Sequence, residues 1–159
     1  MIVRLMEATE RDLPLLLKWR NENKQYFLDS REITSDEHLI WWKDKPASDK
    51  QFMVYFVIDD LGWPVGTLAV IGDDGAGSVE IGRVILGDKK YARLGIMTEA
   101  IKLAVGTVKP DRPIHLRVKH DNTAAIRLYE KCGFRAGARY PGLVVMWFVA
   151  HRIPLEEIP

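Results

Sequence analysis

Three basic residues lie just before Gly95, which opens an apolar, helix-like stretch. They are Lys89, Lys90 and Arg93. The first turn of a helix leaves several backbone N–H groups without a partner and carries a partial positive charge, so it can hold a phosphate group. A strand-like segment, residues 78–86, precedes this basic turn, and the helix-like segment covers residues 95–105. The stretch therefore predicts an anion site, of the kind that a pyrophosphate-bearing cofactor would occupy.

Other side chains that could do chemistry do not form a metal or nucleophile site. His38, His115 and His151 lack metal-ligand spacing with one another or with the single cysteine, so no metal site is expected. That cysteine, Cys132, falls in the last turn of a helix-like segment and has no adjacent base motif. We expect it to be a buried packing residue.

Composition limits the classes of protein to which this chain can belong. A chain of 159 residues with 47% hydrophobic and 28% charged residues is expected to form one globular domain over residues 1–159. The net charge of +1, without a long run of lysine and arginine, argues against a nucleic-acid partner. The single cysteine, an early charge at the N-terminus and the lack of an apolar run of about 20 residues predict a cytoplasmic protein that does not enter a membrane.

Hydrophobic periodicity and capping signals predict the elements that position the anion site. Seven strands are expected, at residues 2–6, 51–59, 65–71, 78–86, 114–119, 135–140 and 143–151. Four helices are expected to start near Thr9, Thr34, Gly95 and Asn122. The second helix must end by Pro46, and Gly133 fits the left-handed residue that follows the last helix. The glycine-rich residues 72–77 are expected to form a hairpin loop, because no helix follows them at once.

The order of these elements, β-α-α-β-β-β-α-β-α-β-β, predicts an α+β fold with a mixed central sheet flanked by helices. A doubly wound dinucleotide-binding fold would carry its glycine-rich turn after the first strand, and this chain does not. Residues 51–59 are apolar on both faces, as expected for an inner strand covered by helices.

Two stretches together resemble the GNAT superfamily of N-acetyltransferases. The basic turn is similar to that family's Arg/Gln-x-x-Gly-x-Gly/Ala motif between a strand and a helix, and residues 118–134 match its later Asn-x-x-Ala, Leu-Tyr-x-x-x-Gly-Phe signature. The matching residues of the later signature are Asn122, Ala125, Leu128, Tyr129, Gly133 and Phe134. The resemblance implies a GNAT-type mixed, mostly antiparallel sheet in a single domain.

By this resemblance the co-substrate is acetyl-CoA, and no metal is needed. Backbone amides at the basic turn and helix start would hold its pyrophosphate; these belong to Arg93, Leu94, Gly95, Ile96, Met97 and Thr98. The cofactor strand would pair with the pantetheine arm much as an added strand would, through the backbone of Val84, Ile85 and Leu86. Asn122, which also fits a helix cap, would contact the same arm.

The first motif is an imperfect copy of the family pattern. Ala92 stands where the family has Arg or Gln, and Met97 stands where it has Gly or Ala. Lys90 and Arg93 can supply the charge that Ala92 lacks. Because Met97 falls where the cofactor backbone approaches closely, its side chain must point away or cofactor affinity is reduced.

The implied reaction needs one group that takes a proton from the acceptor ammonium and another that gives one to the departing thiolate. By resemblance Tyr129 occupies the general-acid position, and a core tyrosine with a satisfied hydroxyl is the alternative. Glu80 is the preferred general base, directly or through water, with a solvated edge glutamate as the alternative. It alternates along the cofactor strand with Gly82, Val84 and Leu86. His120, which follows the end of another strand, is an alternative base.

In this superfamily the acceptor cleft is usually built by the first two helices and the loop between them. That region offers Arg20, Asn21, Tyr26, His38, Trp41 and Trp42, and the candidate acceptor-binding residues among them are Arg20, Asn21, His38 and Trp41. Aromatic rings can stack on a nucleobase or sugar, and an arginine can pair with a phosphate. The pattern resembles acetyltransferases of nucleotide-linked amino sugars, and it is also similar to ribosomal-protein N-terminal acetyltransferases. Packing of the tryptophans in the helix core is the alternative.

These expectations combine into one reaction and one rival. We expect direct transfer of an acetyl group to the primary amine of a small molecule or peptide, with a nucleotide-linked amino sugar as one candidate, by a monomer or homodimer. The rival is a non-catalytic acyl-CoA-binding or regulatory module on the same fold, which Ala92 and Met97 motivate.

Overall fold

A computed structural model describes residues 2–44, 52–72 and 77–149 of the chain. The helices in these ranges are α1 (Leu13–Glu22), α2 (Ser35–Lys43), α3 (Ile96–Gly106) and α4 (Thr123–Lys131). The strands are β1 (Arg4–Glu7), β2 (Phe52–Ile58), β3 (Pro64–Gly72), β4 (Val79–Leu86), β5 (Ile114–Lys119), β6 (Phe134–Tyr140) and β7 (Leu143–Phe148). This is the order that periodicity predicts.

The helix starts follow from their capping residues. Before α1 the chain makes a 3-10 turn, Glu10–Asp12, in which the Asp12 carboxylate accepts a hydrogen bond of 2.7 Å from the Thr9 backbone N–H. Thr9 therefore caps the helical segment with Asp12 at its third position, as predicted, and α1 itself begins at Leu13, directly after the 3-10 turn. The Thr34 hydroxyl accepts from the N–H of Glu37 at 3.2 Å and caps α2 as predicted.

Three predicted segments extend beyond the described residues. The predicted strand start at residue 51, residues 73–76 of the predicted hairpin loop, and residues 150–151 of the last predicted strand lie outside the described residues. Gly133 has a φ of +98° directly after α4, which confirms the left-handed residue expected there.

The seven strands form one sheet in the order β1-β2-β3-β4-β5-β7-β6. All neighbouring pairs are antiparallel except β4 and β5, which are parallel. The predicted mixed, mostly antiparallel sheet is confirmed, with β2 as an inner strand.

The parallel pair is joined at one end only. Val79 pairs with Ile114 and Glu80 with His115, and no further pair joins β4 to β5. From Ile81 onward one edge of β4 has no neighbouring strand among the described residues, although its other edge continues to pair with β3 as far as Leu86. The sheet therefore opens into a gap along β4.

A hydrophobic cluster covers each face of the sheet. Helices α3 and α4 pack on one face, around buried side chains such as Ile101, Tyr129 and Phe134. Helices α1 and α2 pack on the other face, around Trp19, Trp42 and Phe56. Two helical layers thus enclose the gap between β4 and β5 from opposite sides.

Candidate active site

A cleft of about 590 Å³ passes through the gap between β4 and β5. Met97 and Tyr129 line it from the α3 and α4 side, and Phe27 and Trp41 line it from the α1 and α2 side. The cleft also takes in most of β4. A ligand in this cleft can therefore reach groups on both faces of the sheet.

A β-bulge in β4 changes which side chains share a face. Thr67 pairs with Ile85 but Ala69 pairs with Gly82, so β4 carries one more residue than β3 in this interval. The extra residue falls at Arg83, a non-glycine residue with a φ of +50°. Such a bulge places two consecutive residues on one face and reverses the alternation beyond them.

The predicted alternation of Glu80 with Gly82 is confirmed, since a Cβ at Gly82 would lie 3.8 Å from Glu80 Oε1, but its continuation to Val84 and Leu86 is wrong. Val84 and Leu86 pack against the cluster under α3 and α4, together with Ile81. Ile85 instead belongs to the cluster under α1 and α2. Glu80 alternates with Ile81 ahead of the bulge, so it lies on the α1 and α2 face, opposite to Val84.

The turn before α3 has a backbone geometry suited to binding an anion. Gly95 has a φ of +74° and Arg93 a φ of +65°, and these left-handed residues direct successive N–H groups to one side of the turn. Within the described part of the chain, the N–H groups of residues 93–98 donate no hydrogen bond. Six free donors at a helix start fit the pyrophosphate of a coenzyme.

The three cations of this turn have different surroundings. The Lys89 ammonium donates to Asn23 Oδ1 at 2.8 Å and to the Leu86 carbonyl at 2.7 Å, so it ties the turn to α1. Lys90 lies 3.5 Å from Asp88. Arg93 is exposed beside the free amides. Arg93 is therefore the side chain best placed to add charge where Ala92 has none.

Met97 is accommodated by a glycine across the sheet. Its side chain is 8% exposed, and a Cβ added to Gly66 would lie 3.0 Å from its sulfur atom. The same Cβ would lie 2.7 Å from the Ile85 carbonyl oxygen. The lack of a side chain at Gly66 lets Met97 pack onto β3 and β4, although it still lines the cleft. The expected effect of Met97 on cofactor affinity stays a prediction.

Asn122 and the free edge of β4 frame the middle of the cleft. Asn122 caps α4, with its Oδ1 atom accepting from the N–H of Ala125 at 3.2 Å. It also lines the cleft, as do Val84, Ile85 and Leu86. The unpaired edge of β4 offers main-chain donors and acceptors to an extended ligand.

Tyr129 lies on α4 and lines the cleft from its buried side. The side chain is 8% exposed and packs edge-on against Phe134. Burial raises the pKa of Tyr129 well above its ordinary value, and the Cys132 thiol adds a smaller effect in the same direction. Its hydroxyl makes no hydrogen bond to any other described residue, so it is free to serve a ligand.

Glu80 sits where β4 and β5 separate, within a cluster of charged side chains. Its Oε2 atom lies 2.5 Å from Arg117 Nε and 3.6 Å from His115 Nε2. Burial opposes ionisation of this carboxyl, but hydrogen bonds from His115 and Arg117 outweigh it and hold the pKa of Glu80 below its ordinary value. Glu80 is therefore an ionised carboxylate that lines the cleft. His120, the alternative base, is exposed and does not line the cleft.

Trp41 is the one predicted acceptor-binding residue that lines the cleft. Arg20 and Asn21 are instead turned into the loop between α1 and α2. Arg20 donates to the carbonyls of Asp29 and Arg31, and Asn21 exchanges two hydrogen bonds of 2.9 Å with the backbone of Ile33.

His38 is also outside the cleft lining. Its ring is 2% exposed and stacks on Trp41 with centroids 5.2 Å apart. Burial lowers the pKa of His38 to about 4, with smaller contributions from Arg83 and Arg20. His38 is thus a neutral support for the Trp41 ring.

Sequence reasoning missed Arg83 and Arg117 in the cleft. The Arg83 guanidinium lies over the Trp41 ring at 3.7 Å. The signal for Arg83 was a second charged residue, after Glu80, inside a mainly apolar strand, and the signal for Arg117 was a charged residue between the apolar Leu116 and Val118 of β5. Cys132 is buried as predicted, and burial raises the pKa of its thiol to about 11.

Three features of the site fit an acyltransferase that uses a coenzyme A thioester. They are the open sheet, the free amides before α3 and the tyrosine at the gap. The chain belongs to the Acetyltransferase (GNAT) family, whose sequence pattern matches residues 16–134. The co-substrate is acetyl-CoA, and the activity of the family is acetyl transfer to an amine. No curated protein matches the chain significantly.

Solved structures share the fold at low sequence identity. A domain from Methanocaldococcus jannaschii has a TM-score of 0.81 at 20% identity and covers 92% of this chain and 97% of its own. Spermidine N-acetyltransferase from Vibrio cholerae, in complex with CoA and spermine, has a TM-score of 0.74 at 22% identity, with coverage of 91% and 94%. The aminoglycoside acetyltransferase AAC(6′)-Ib, in complex with coenzyme A, has a TM-score of 0.74 at 21% identity, with coverage of 92% and 93%.

No helix among the described residues is both long and apolar enough to span a membrane. In the same residues, no group of three or more His, Cys, Asp and Glu side chains is placed to hold a metal ion.

Proposed function

We propose that this protein acetylates the primary amine of a small molecule by direct transfer within a ternary complex. The observation that carries the proposal is the cleft through the sheet, because it joins Tyr129 on one face to Glu80 on the other. Acetyl-CoA, when bound, supplies an acetyl group activated as a thioester. The free amides of residues 93–98 would hold its pyrophosphate, and the open edge of β4 with Asn122 would hold its pantetheine arm.

The catalytic roles follow from the protonation states of the two residues. Glu80 is ionised, so it can take a proton from the acceptor ammonium, directly or through a water that it orients. Tyr129 keeps its proton, so its hydroxyl can donate to the departing thiolate. Backbone N–H groups along the unpaired edge of β4 can polarise the carbonyl of the thioester.

The acceptor lies on the α1 and α2 side of the cleft in this proposal. Trp41 lines this side with the Arg83 guanidinium over its ring, and a nucleotide-linked amino sugar, whose phosphates an arginine can pair with, is one candidate acceptor. Arg20 and Asn21 would act by shaping the loop between α1 and α2, and His38 would act by supporting Trp41. The neighbours that acetylate spermidine and aminoglycosides make polyamines and aminoglycosides the reference acceptors.

The test combines calorimetry with a thiol-release assay. Acetyl-CoA is titrated into the protein, and release of free coenzyme A is then followed with nucleotide-linked amino sugars, aminoglycosides, polyamines and peptide N-termini. Binding with amine-dependent release supports the proposal. Binding without release on any amine favours the non-catalytic acyl-CoA-binding module, and the lack of binding would exclude both.

A further inference from the structure

Arg83 is a half-buried charge without a counter-ion among the described residues. It lines the cleft on the α1 and α2 side, and it forms no hydrogen bond or ion pair with any other residue in the described ranges. Buried arginines are normally paired, because an unpaired charge loses its hydration without compensation. Burial lowers the pKa of Arg83 to about 10, with a smaller contribution from Arg20.

The backbone and one aromatic ring hold this guanidinium in place. Arg83 occupies the bulge with a φ of +50°, a conformation that is strained for a residue other than glycine. Its guanidinium lies 3.7 Å from the centre of the Trp41 ring, and this contact fixes the plane of its five donors. Strain of this kind persists where a function requires the conformation.

The neighbouring charges leave Arg83 uncompensated. The ionisable groups that interact electrostatically with Arg83 are Arg20 of α1 and His38 of α2, one positive and one neutral. The acidic residues that line the cleft are engaged elsewhere. Glu80 is bound to Arg117 and His115, and Asp29 is bound to Arg31. The acceptor side of the cleft thus has a positive field and no free carboxylate among the described residues.

We propose that Arg83, stacked on Trp41, binds an anionic group of the acceptor, so that the acceptor is an amine that also carries a carboxylate or phosphate. The guanidinium would receive that group through paired hydrogen bonds. This inference rests on the proposed acetyltransferase function and narrows its acceptor. Polycationic amines such as polyamines are then poor substrates, because they meet Arg83 without a compensating charge.

A binding experiment tests the site without any turnover. Isotope-labelled protein saturated with coenzyme A is titrated with inorganic phosphate and, separately, with acetate, and the side-chain Nε–H signal of Arg83 is followed by NMR. Coenzyme A occupies the amides before α3, so added phosphate reports on a second site. The signal is assigned by its loss in Arg83→Lys. A saturable shift with either anion, but not with chloride at equal ionic strength, is expected.

A kinetic experiment distinguishes the two sources of the anion. Acceptors are compared in matched pairs: glucosamine 6-phosphate with glucosamine, and an amino acid with its amide. The pair with the larger advantage for the anionic member identifies phosphate or carboxylate. We expect that advantage in kcat/KM to be about ten- to a hundredfold. In Arg83→Gln it should disappear, mainly through a higher KM, while Arg139→Gln, which alters an exposed arginine outside the cleft, keeps it.

The outcomes separate this inference from the proposed function. If coenzyme A does not bind, the acetyltransferase proposal fails, and the Arg83 signal of the free protein still decides whether the anion site exists. If no acceptor is acetylated, the titration of the coenzyme-saturated protein with phosphate and acetate decides whether the anion site exists. An Arg83 signal that neither anion moves, a preference for spermidine, or an anionic preference retained in folded Arg83→Gln would each overturn the inference.

Discussion

Tyr129 keeps its proton over the physiological pH range. Its ring is buried between α4 and the sheet, where it packs on Phe134 of β6, and this burial raises the pKa of the phenol. A raised pKa makes this phenol a weak acid, so complete proton transfer to a thiolate is unfavourable in the ground state. In the proposed reaction, the stronger contribution of Tyr129 would be a hydrogen bond that tightens as negative charge grows on the departing sulfur. The same argument assigns Glu80 a modest basicity, because Arg117 and His115 stabilise its ionised form.

Replacement of Tyr129 by phenylalanine should remove this hydrogen bond while keeping the ring that packs on Phe134. We expect kcat to fall by roughly a hundredfold, with little change in the affinity for coenzyme A. Thiol release at saturating acetyl-CoA measures the first quantity and calorimetry the second. Tyr140→Phe is the matched control, because Tyr140 is exposed on β6. Unchanged turnover in Tyr129→Phe would remove this residue from the acid role.

His38 makes stability depend on pH in a definite direction. Burial lowers its pKa from 6.5 to about 4 in the folded protein, so between these pH values the unfolded chain binds a proton that the native state does not. The free energy of unfolding should therefore fall as the pH is lowered from about 6.5 to about 4.

Urea unfolding across this pH range measures the effect. In His38→Gln the dependence should be shallower, whatever the absolute stability of the variant. His120→Gln should keep the wild-type dependence, because the His120 side chain is exposed. Parallel pH profiles for wild type and His38→Gln would contradict the assignment.

At the scale of elements, the end of β4 and the turn before α3 are held against α1 by a close contact. This contact joins the Trp19 ring to the backbone of Gly87. A Cβ added to Gly87 would lie 2.0 Å from the Trp19 ring, which is a 6% exposed side chain of α1. The backbone of Gly87 also donates to the Val65 carbonyl at 2.9 Å. The Trp19 ring therefore packs α1 against the end of β4.

Gly87→Ala should therefore force Trp19 to move. Overpacking of this kind destabilises proteins by about 1–3 kcal/mol, and urea unfolding should detect that loss. Gly106→Ala is the matched control, because a Cβ at this position in α3 meets nothing within 4 Å. We expect that control to be neutral or stabilising by up to about 1 kcal/mol. Equal stability of the two variants would show that Trp19 adapts without cost.

Element order was predictable from the sequence, whereas the cleft was only partly so. Period and capping signals are local, so strands such as β5 and the turn before α3 could be placed from residue types alone. The bulge at Arg83 could not be placed in this way, because it depends on how β4 pairs with β3. The ion pair of Glu80 with Arg117 depends on the β4–β5 register, and the internal hydrogen bonds of Arg20 depend on the path of a loop. Both are tertiary facts that carry no local signal.

At the scale of the whole molecule, the sheet consists of two parts that meet at a short parallel contact. Strands β1 to β4 form one part and β5, β7 and β6 form the other, and they are joined through the pairs Val79–Ile114 and Glu80–His115. A separate helical cluster supports each face. A ligand in the gap would thus contact both parts of the sheet and both helical layers.

Hydrogen exchange with and without acetyl-CoA tests this organisation. The amides of residues 93–98 have no hydrogen-bond partner among the described residues, so they should exchange rapidly in the free protein and slowly in the complex. The amides of β4 that face the gap should also slow, whereas those of the distant β6–β7 pair should change little at short labelling times. At a ligand concentration of about 100 times Kd, unfolding should become about 2.7 kcal/mol less favourable, with a matching rise in Tm. Slowing that is uniform over the chain, or confined to β6 and β7, would place the coenzyme elsewhere.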